Sequence, residues 1–118
     1  MIKNQDLVTL VYMNIRGQTG LDSTKQLQIE HFLKFYDIDI LNCQEINIDS
    51  DSFNVCNYIT SSYEIIHNNA SNRYGTCSLV ACHFNVDNIL CDTNGRAIFF
   101  DIAETTFGNV YLPCGNEK

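Results

Sequence analysis

Two apolar runs flank an amphipathic segment in the first part of the chain. Residues 7–15 are mostly apolar and rich in Val, Leu, Tyr and Ile, which predicts a buried strand. Residues 24–36 predict a helix, and residues 38–43 predict a second strand. This order indicates a βαβ unit with parallel strands, whose carboxyl ends lie at the same edge of the sheet.

The predicted helix has one apolar face. Its apolar side chains follow the i, i+3, i+4 and i+7 spacing of a stripe that packs on a core. These residues are Ile29, Phe32, Leu33 and Tyr36. Asp22 or Ser23 is the expected N-cap, because either side-chain oxygen accepts a hydrogen bond from the first turn of the helix.

The rest of the chain predicts β-structure. The stretch from Glu45 to Ser62 is rich in Asn, Asp and Ser and is interpreted as a loop with at most one helical turn. The further predicted strands are 63–67, 75–83, 96–102 and 109–112. The first two form a hairpin, whose turn ends in Arg73 and Tyr74; these side chains are interpreted as solvated in preference to nucleic-acid contacts. Asn94-Gly95 is a turn signal, and residues 105–108 are expected to turn before the last strand.

Composition limits the class of protein. A chain of 118 residues has room for one small domain, and its net charge of −7 cannot hold a polyanion unless a metal ion or a further segment supplies positive charge. The six cysteines show no CxxC spacing, and no apolar leader begins the chain, so we expect buried reduced thiols in an intracellular protein, nuclear or cytoplasmic.

Three segments resemble the endonuclease/exonuclease/phosphatase superfamily. The first, Tyr-Met-Asn-Ile-Arg-Gly, ends the first strand; the second, Asp-Ile-Leu-Asn-Cys-Gln-Glu, ends the second. The third begins at Gly95-Arg96 and continues into Asn-Val-Tyr-Leu-Pro-Cys-Gly-Asn at 109–116, a run most similar to the endonucleases of LINE-type retrotransposon polyproteins. The resemblance implies a mixed α/β (α+β) fold and the N-terminal half of a DNase I-like four-layer α/β sandwich. We expect residues 1–118 to be a partial domain, truncated at its C-terminus, that supplies roughly one sheet.

Polar residues at the two strand ends are the first candidates for chemistry. Glu45 offers a hard carboxylate oxygen of the kind that Mg²⁺ takes together with water and substrate phosphate, and the resemblance implies that it is the metal ligand. A solvated loop carboxylate is its ordinary alternative. Asn14 is expected to orient a phosphate oxygen or a catalytic neighbour, against the alternative of a local cap. Gln44 is a supporting residue, with a structural role as plausible as direct contact.

The third segment supplies the remaining candidates. Tyr111 resembles the family's active-site tyrosine, whose hydroxyl points at the scissile phosphate; a core aromatic is the competing interpretation. Arg96 and Asn116 are weaker supporting candidates, since an arginine at a strand start also pairs with acidic side chains and an asparagine also ends turns.

These assignments imply part of a Mg²⁺-dependent endonuclease, with Mn²⁺ as the alternative ion and DNA as the partner of the parent protein. The family's later motifs, a D-x-N strand after Tyr111 and a terminal S-D-H, do not occur in the chain. They carry the general base and phosphate contacts, so we expect the 118 residues alone to be inactive. A phosphatase or phosphodiesterase of the same superfamily, and a non-catalytic remnant that folds or binds a partner, stay open as alternatives.

Overall fold

The computed structural model describes residues 7–18, 22–48, 51–69 and 74–112. Within these residues the chain forms seven strands and two helices. In chain order they are β1 (Leu10–Gln18), α1 (Ser23–Phe35), β2 (Ile40–Ile46), α2 (Asn57–Ser62), β3 (Tyr63–Asn68), β4 (Gly75–Ala81), β5 (Val86–Cys91), β6 (Ala97–Ile102) and β7 (Thr105–Val110).

The strands form two sheets. The first has four strands in the order β1-β2-β4-β3, and the second has three in the order β5-β6-β7. The βαβ prediction is confirmed, because β1 and β2 pair in parallel and are adjacent. The predicted hairpin is also confirmed, because β3 and β4 pair in antiparallel. The expectation of a single sheet is wrong.

Two apolar clusters divide the described residues into layers. One lies between the helices and the four-stranded sheet and includes Ile29, Leu33, Leu41 and Ile59. The other lies between the two sheets; we call it the apolar inter-sheet cluster, and its buried members are Ile40, Ile66, Val80, Ile98 and Phe100. The described part therefore consists of helices, a mixed sheet and an antiparallel sheet, packed in that order. A fourth layer stays a prediction.

Helix α1 begins as its sequence predicts. Asp22 is the N-cap, and its Oδ1 accepts a hydrogen bond of 2.8 Å from the Lys25 backbone N–H. Ile29 and Leu33 are buried against the sheet. The prediction that Tyr36 belongs to the core stripe is wrong: it is the C-cap residue and is 57% exposed, because the helix ends before its side chain reaches the sheet.

Several strand boundaries differ from the predictions. Gln44 and Glu45 lie within β2 and not after it, because pairing with β4 continues to Ile46. The turn expected at 105–108 is wrong: β7 already begins at Thr105, and the chain reverses at Ala103, whose left-handed φ of 53° makes the tight turn possible. Strand β5 was not predicted.

The cysteines are free thiols wherever they are described. Cys43, Cys56 and Cys77 are buried, as expected, whereas Cys82 and Cys91 are exposed, because they lie at strand ends; Cys114 is outside the described residues. Within the described residues, neither helix has the length and apolar character needed to cross a bilayer.

Candidate functional site

A row of four polar residues crosses the four-stranded sheet at the carboxyl ends of β1 and β2. Asn14 is paired in register with Gln44, Gln44 with Thr76, and Thr76 with Asn68. We call this the carboxyl-edge row. Parallel sheets commonly place chemistry at this edge, and the sequence placed Asn14, Gln44 and Glu45 there.

Both strands of the parallel pair change register immediately after this row. The pairing of β1 with β2 shifts between Asn14 and Gln18, and that of β2 with β4 shifts between Gln44 and Ile46. Arg16 has a φ of 65° and Glu45 a φ of 58°, both in the left-handed region. Bulges of this kind re-aim side chains, and left-handed backbone in residues with a Cβ is often found at functional sites.

The bulge in β2 decides where Glu45 points. Cys43 and Ile46 both belong to the apolar cluster under α1, and Gln44 faces the other sheet. Strict alternation would put Glu45 on the same side as Cys43, in the apolar cluster. The bulge removes that position from the alternation, and Glu45 is partly exposed at the edge instead.

Four side chains of this edge line an open cleft of about 540 Å³: Asn14, Arg16, Glu45 and Tyr74. The Asn14 Oδ1 accepts a hydrogen bond of 2.7 Å from the Arg16 backbone N–H, so Asn14 makes the local cap that the sequence allowed as its alternative role, and this bond orients the amide. The cleft thus brings together a carboxylate, an amide, a guanidinium and a phenol. Such a set can hold a divalent cation and the phosphate that accompanies it.

A second cavity adjoins this cleft between β1 and α1. It measures about 330 Å³ and shares Asn14 and Arg16 with the cleft. Its floor is apolar, formed by residues that include Ile15 and Phe32, and Lys25 is at its wall. Arg16 therefore shares the cleft with Glu45, and Lys25 lines the adjoining cavity, in a chain whose net charge is negative.

Gln44 lies beneath the cleft and is buried. Its Nε2 donates a hydrogen bond of 2.8 Å to the Asn109 Oδ1 of the second sheet. The sequence predicted a supporting role for Gln44, and in the structure its side chain links the two sheets by this hydrogen bond. The neighbouring Cys43 is no candidate ligand, because complete burial raises the pKa of its thiol to about 12 and keeps it protonated.

Tyr111 and Arg96 are held together at the start of β6. The Tyr111 backbone N–H donates a hydrogen bond of 2.8 Å to the Arg96 carbonyl oxygen. Within β7, Phe107 packs against the apolar inter-sheet cluster, and Asn109, two residues later, contacts Gln44. Tyr111 follows at the same edge of the two sheets as Glu45, although it does not line the cleft.

Arg96 and Asn116 are the supporting candidates of the third segment. Arg96 donates a hydrogen bond of 2.8 Å from its backbone N–H to the Asp92 carboxylate, and the pairing expected of its side chain with an acidic group stays a prediction. Asn116 lies outside the described residues, and its role stays a prediction.

The described residues contain no group of three or more His, Cys, Asp or Glu that could enclose a metal ion. Mg²⁺ does not require such a cage, because it keeps several waters and binds through one or two carboxylates together with substrate phosphate. The Glu45 carboxylate beside the Asn14 amide fits an open Mg²⁺ site of this kind, and it does not fit a closed structural zinc site.

Sequence reasoning missed two lining residues. Arg16 follows Asn14 by two positions, and only its left-handed backbone turns it into the cleft. Tyr74 was interpreted as a solvated turn residue; it is 40% exposed and lines the cleft. The signal in the sequence was position: Arg16 lies in β1 two residues after Asn14, and Tyr74 immediately precedes β4, which contributes Thr76 to the carboxyl-edge row.

No family model matches the sequence, and neither does any curated protein. Two solved structures of TDP2 from Caenorhabditis elegans are similar in fold. For a truncated form, the TM-score is 0.62 at 23% identity, over 92% of this chain and 47% of that chain. For a selenomethionine form, the TM-score is 0.64 at 22% identity, over 98% of this chain and 39% of that chain.

The chain spans less than half the length of each of these proteins. At this identity the likeness shows the fold alone. It shows that this chain shares the fold of part of TDP2. Membership of the superfamily that the three motifs indicated, and of its LINE-type branch, stays a prediction.

Proposed function

We propose that this chain provides the Glu45-bearing part of a metal-dependent phosphodiesterase that acts on DNA. The observation that carries the proposal is the convergence of Asn14, Arg16 and Glu45 on one cleft through paired bulges at the carboxyl edge. The narrower role, target-site nicking in a LINE-type retrotransposon, depends only on the resemblance of residues 109–116.

Each side chain of the cleft has a distinct task in this proposal. Glu45 holds Mg²⁺ through its carboxylate, and Asn14 orients a phosphate oxygen through its amide. Arg16 donates hydrogen bonds to the same phosphate, a geometry for which a guanidinium is well suited. When bound at Glu45, Mg²⁺ would polarise the phosphoryl group and neutralise charge on the leaving 3′-oxygen. Tyr111 is proposed to direct its hydroxyl to the scissile phosphate.

The charge balance also favours a metal-assisted site. A net charge of −7 repels a polyanion, and clustered cations are what normally neutralise phosphates. Arg16 supplies positive charge in the cleft and Lys25 in the adjoining cavity, and a divalent cation at Glu45 would add to it. Binding to DNA should therefore depend strongly on Mg²⁺ and weaken as the salt concentration rises.

Metal binding can be tested directly with Mn²⁺ as a paramagnetic probe. We expect Mn²⁺ to broaden the amide signals of the cleft residues first. Glu45→Gln should weaken binding about tenfold or more, because it removes the carboxylate that lines the cleft among the described residues. Glu64→Gln is the matched control, since Glu64 is an exposed glutamate near the opposite end of the same sheet. Equal effects of the two substitutions would exclude a metal site at Glu45.

Catalysis needs a separate assay. We expect no Mg²⁺-dependent nicking of supercoiled plasmid by the 118 residues, since the D-x-N and S-D-H motifs do not occur in them. Nicking that is lost with Glu45→Ala would contradict this expectation. Coding sequence downstream decides between the alternatives: both motifs followed by a reverse transcriptase support the endonuclease, and a lipid-phosphatase continuation excludes it.

A further inference from the structure

Asn109 is a fully buried asparagine of β7 whose side chain bonds the other sheet at four points. Its Nδ2 shares two hydrogens among three acceptors: the Cys43 carbonyl oxygen at 3.3 Å, the Cys77 carbonyl oxygen at 2.9 Å and the Ser78 Oγ at 3.1 Å. Its Oδ1 accepts the bond of 2.8 Å from Gln44. One side chain thus ties the second sheet to both β2 and β4.

The space between the sheets is polar at one end and apolar at the other. The apolar inter-sheet cluster occupies the end where β2 begins. Beneath the cleft lies a second group, the polar inter-sheet cluster, whose members are all buried: Asn42, Gln44, Thr76, Ser78 and Asn109. Burying polar groups is costly, and apolar side chains of similar volume commonly replace them without loss of stability.

This polar cluster is not fully satisfied. The Asn42 Nδ2 and the Thr76 Oγ1 are buried with no hydrogen-bond partner among the described residues. A cluster with unmade hydrogen bonds is a poor source of stability. The cluster lies directly before the bulge at Glu45. This position indicates that its role is to hold the backbone of β2 in place there.

The bonds of Asn109 end where the backbone of β2 becomes unusual. The Cys43 carbonyl oxygen accepts one of these bonds, and the Gln44 Nε2 donates another. Glu45 follows with a left-handed φ of 58°. Such backbone persists only where the surrounding structure holds it. The two residues before Glu45 are held from the second sheet, and Ile46 is held by the core under α1.

We infer that Asn109 is a positioning residue: by clamping β2 to the second sheet, it holds the Glu45 carboxylate in the cleft. The functional consequence depends on the metal site proposed above, whereas the effect on the backbone does not. Asn109 touches neither metal nor substrate in this assignment and acts through Gln44 and Cys43.

Asn109→Leu removes the polar contacts while nearly preserving volume. Ile98→Ala is the matched control, because Ile98 is the register partner of Asn109 on β6, is equally buried and faces the same sheet. Amide hydrogen exchange then compares the two ends of β2. We expect Asn109→Leu to accelerate exchange at residues 44–46 about tenfold more than at residues 40–42, because hydrogen bonds are lost at one end only. Ile98→Ala should accelerate exchange at residues 40–42 at least as much as at residues 44–46, because Ile98 belongs to the apolar cluster at the end where β2 begins.

Uniform acceleration along β2 in both variants would overturn the inference. If Asn109→Leu does not fold, Gln44→Leu provides the second variant: it removes the partner of the Asn109 Oδ1 and leaves the amide donors in place, so the same but smaller gradient is expected.

Mn²⁺ binding, compared at equal folded fraction, tests the functional consequence. We expect affinity to fall about tenfold in Asn109→Leu and to stay unchanged in Ile98→Ala, which a purely destabilising effect would not produce. Unchanged affinity in Asn109→Leu beside a steep exchange gradient would overturn the positioning role. If the wild-type protein binds no Mn²⁺, the proposed function fails, and the exchange gradient alone decides whether Asn109 holds the strand.

Discussion

The substitution Gly75→Ala should destabilise the protein strongly, because Gly75 lies where two strand pairings meet and backbone blocks its Cβ position. A Cβ would overlap the Asn68 carbonyl oxygen and lie 2.8 Å from the Asn69 Cα. Ordinary contact begins at 3.4 Å, so the Asn69 backbone would have to move by at least 0.6 Å (3.4 − 2.8). That movement would disturb the β3–β4 pairing at Asn68 and the pairing of Gly75 with Ile46.

The expected magnitude follows from two opposing effects. Overpacking against rigid neighbours costs up to about 3 kcal/mol, and the smaller conformational entropy of an unfolded chain with alanine returns about 0.7 kcal/mol, so the net loss should be about 2 kcal/mol. Gly108→Ala is the matched control. Its Cβ would lie 2.9 Å from the Phe99 ring, which is 39% exposed and able to turn away, so we expect a change within about 0.5 kcal/mol.

Urea unfolding followed by circular dichroism measures the free energy of unfolding of both variants, provided that its dependence on urea concentration is the same as in the wild type. Equal losses in the two variants would refute the argument that a backbone obstacle, and not the glycine itself, sets the cost. Since Tyr74 precedes Gly75 and lines the cleft, Gly75→Ala should also weaken Mn²⁺ binding, and Gly108→Ala should not.

Three further predictions concern groups outside the cleft. Partial burial raises the pKa of Asp92, but hydrogen bonds from the Arg96 and Ala97 backbone outweigh it and lower the pKa below 3.8. The stability that the ionised Asp92 contributes is therefore present above its unfolded pKa and is lost as the pH falls through its folded pKa. The difference in free energy of unfolding between wild type and Asp92→Asn, measured by urea unfolding, should shrink on acidification, and a constant difference would contradict this. Tyr63→Phe removes a buried bond of 2.6 Å to a carbonyl oxygen and should cost about 1–2 kcal/mol in the same assay; no loss would show that this bond is not stabilising. Burial raises the pKa values of Cys43 and Cys77, so alkylation at pH 8, mapped by mass spectrometry, should modify them only on unfolding; rapid labelling of the folded protein would contradict their burial.

The order of the first elements could be predicted because its causes are local. The apolar runs of β1 and β2, the stripe of α1 and the cap at Asp22 each follow from neighbouring residues in the chain. The same local reasoning failed for β5, whose pattern is interrupted by the left-handed Asn88 and whose side chains are mostly exposed. It failed at Thr105 because a turn formed by Ala103 in left-handed backbone has no clear signature in the sequence.

By itself, the sequence determined that Asn14, Gln44 and Glu45 occur at the carboxyl ends of two parallel strands, since strand period and the handedness of the crossover depend on local pattern. Only the tertiary structure decided that Arg16 and Tyr74 share a cleft with Asn14 and Glu45. Register shifts and left-handed bulges arise from hydrogen bonds between distant segments, and a single strand does not specify them. The same holds for Asn109, which contacts Gln44 from 65 positions away and whose importance no local pattern indicates.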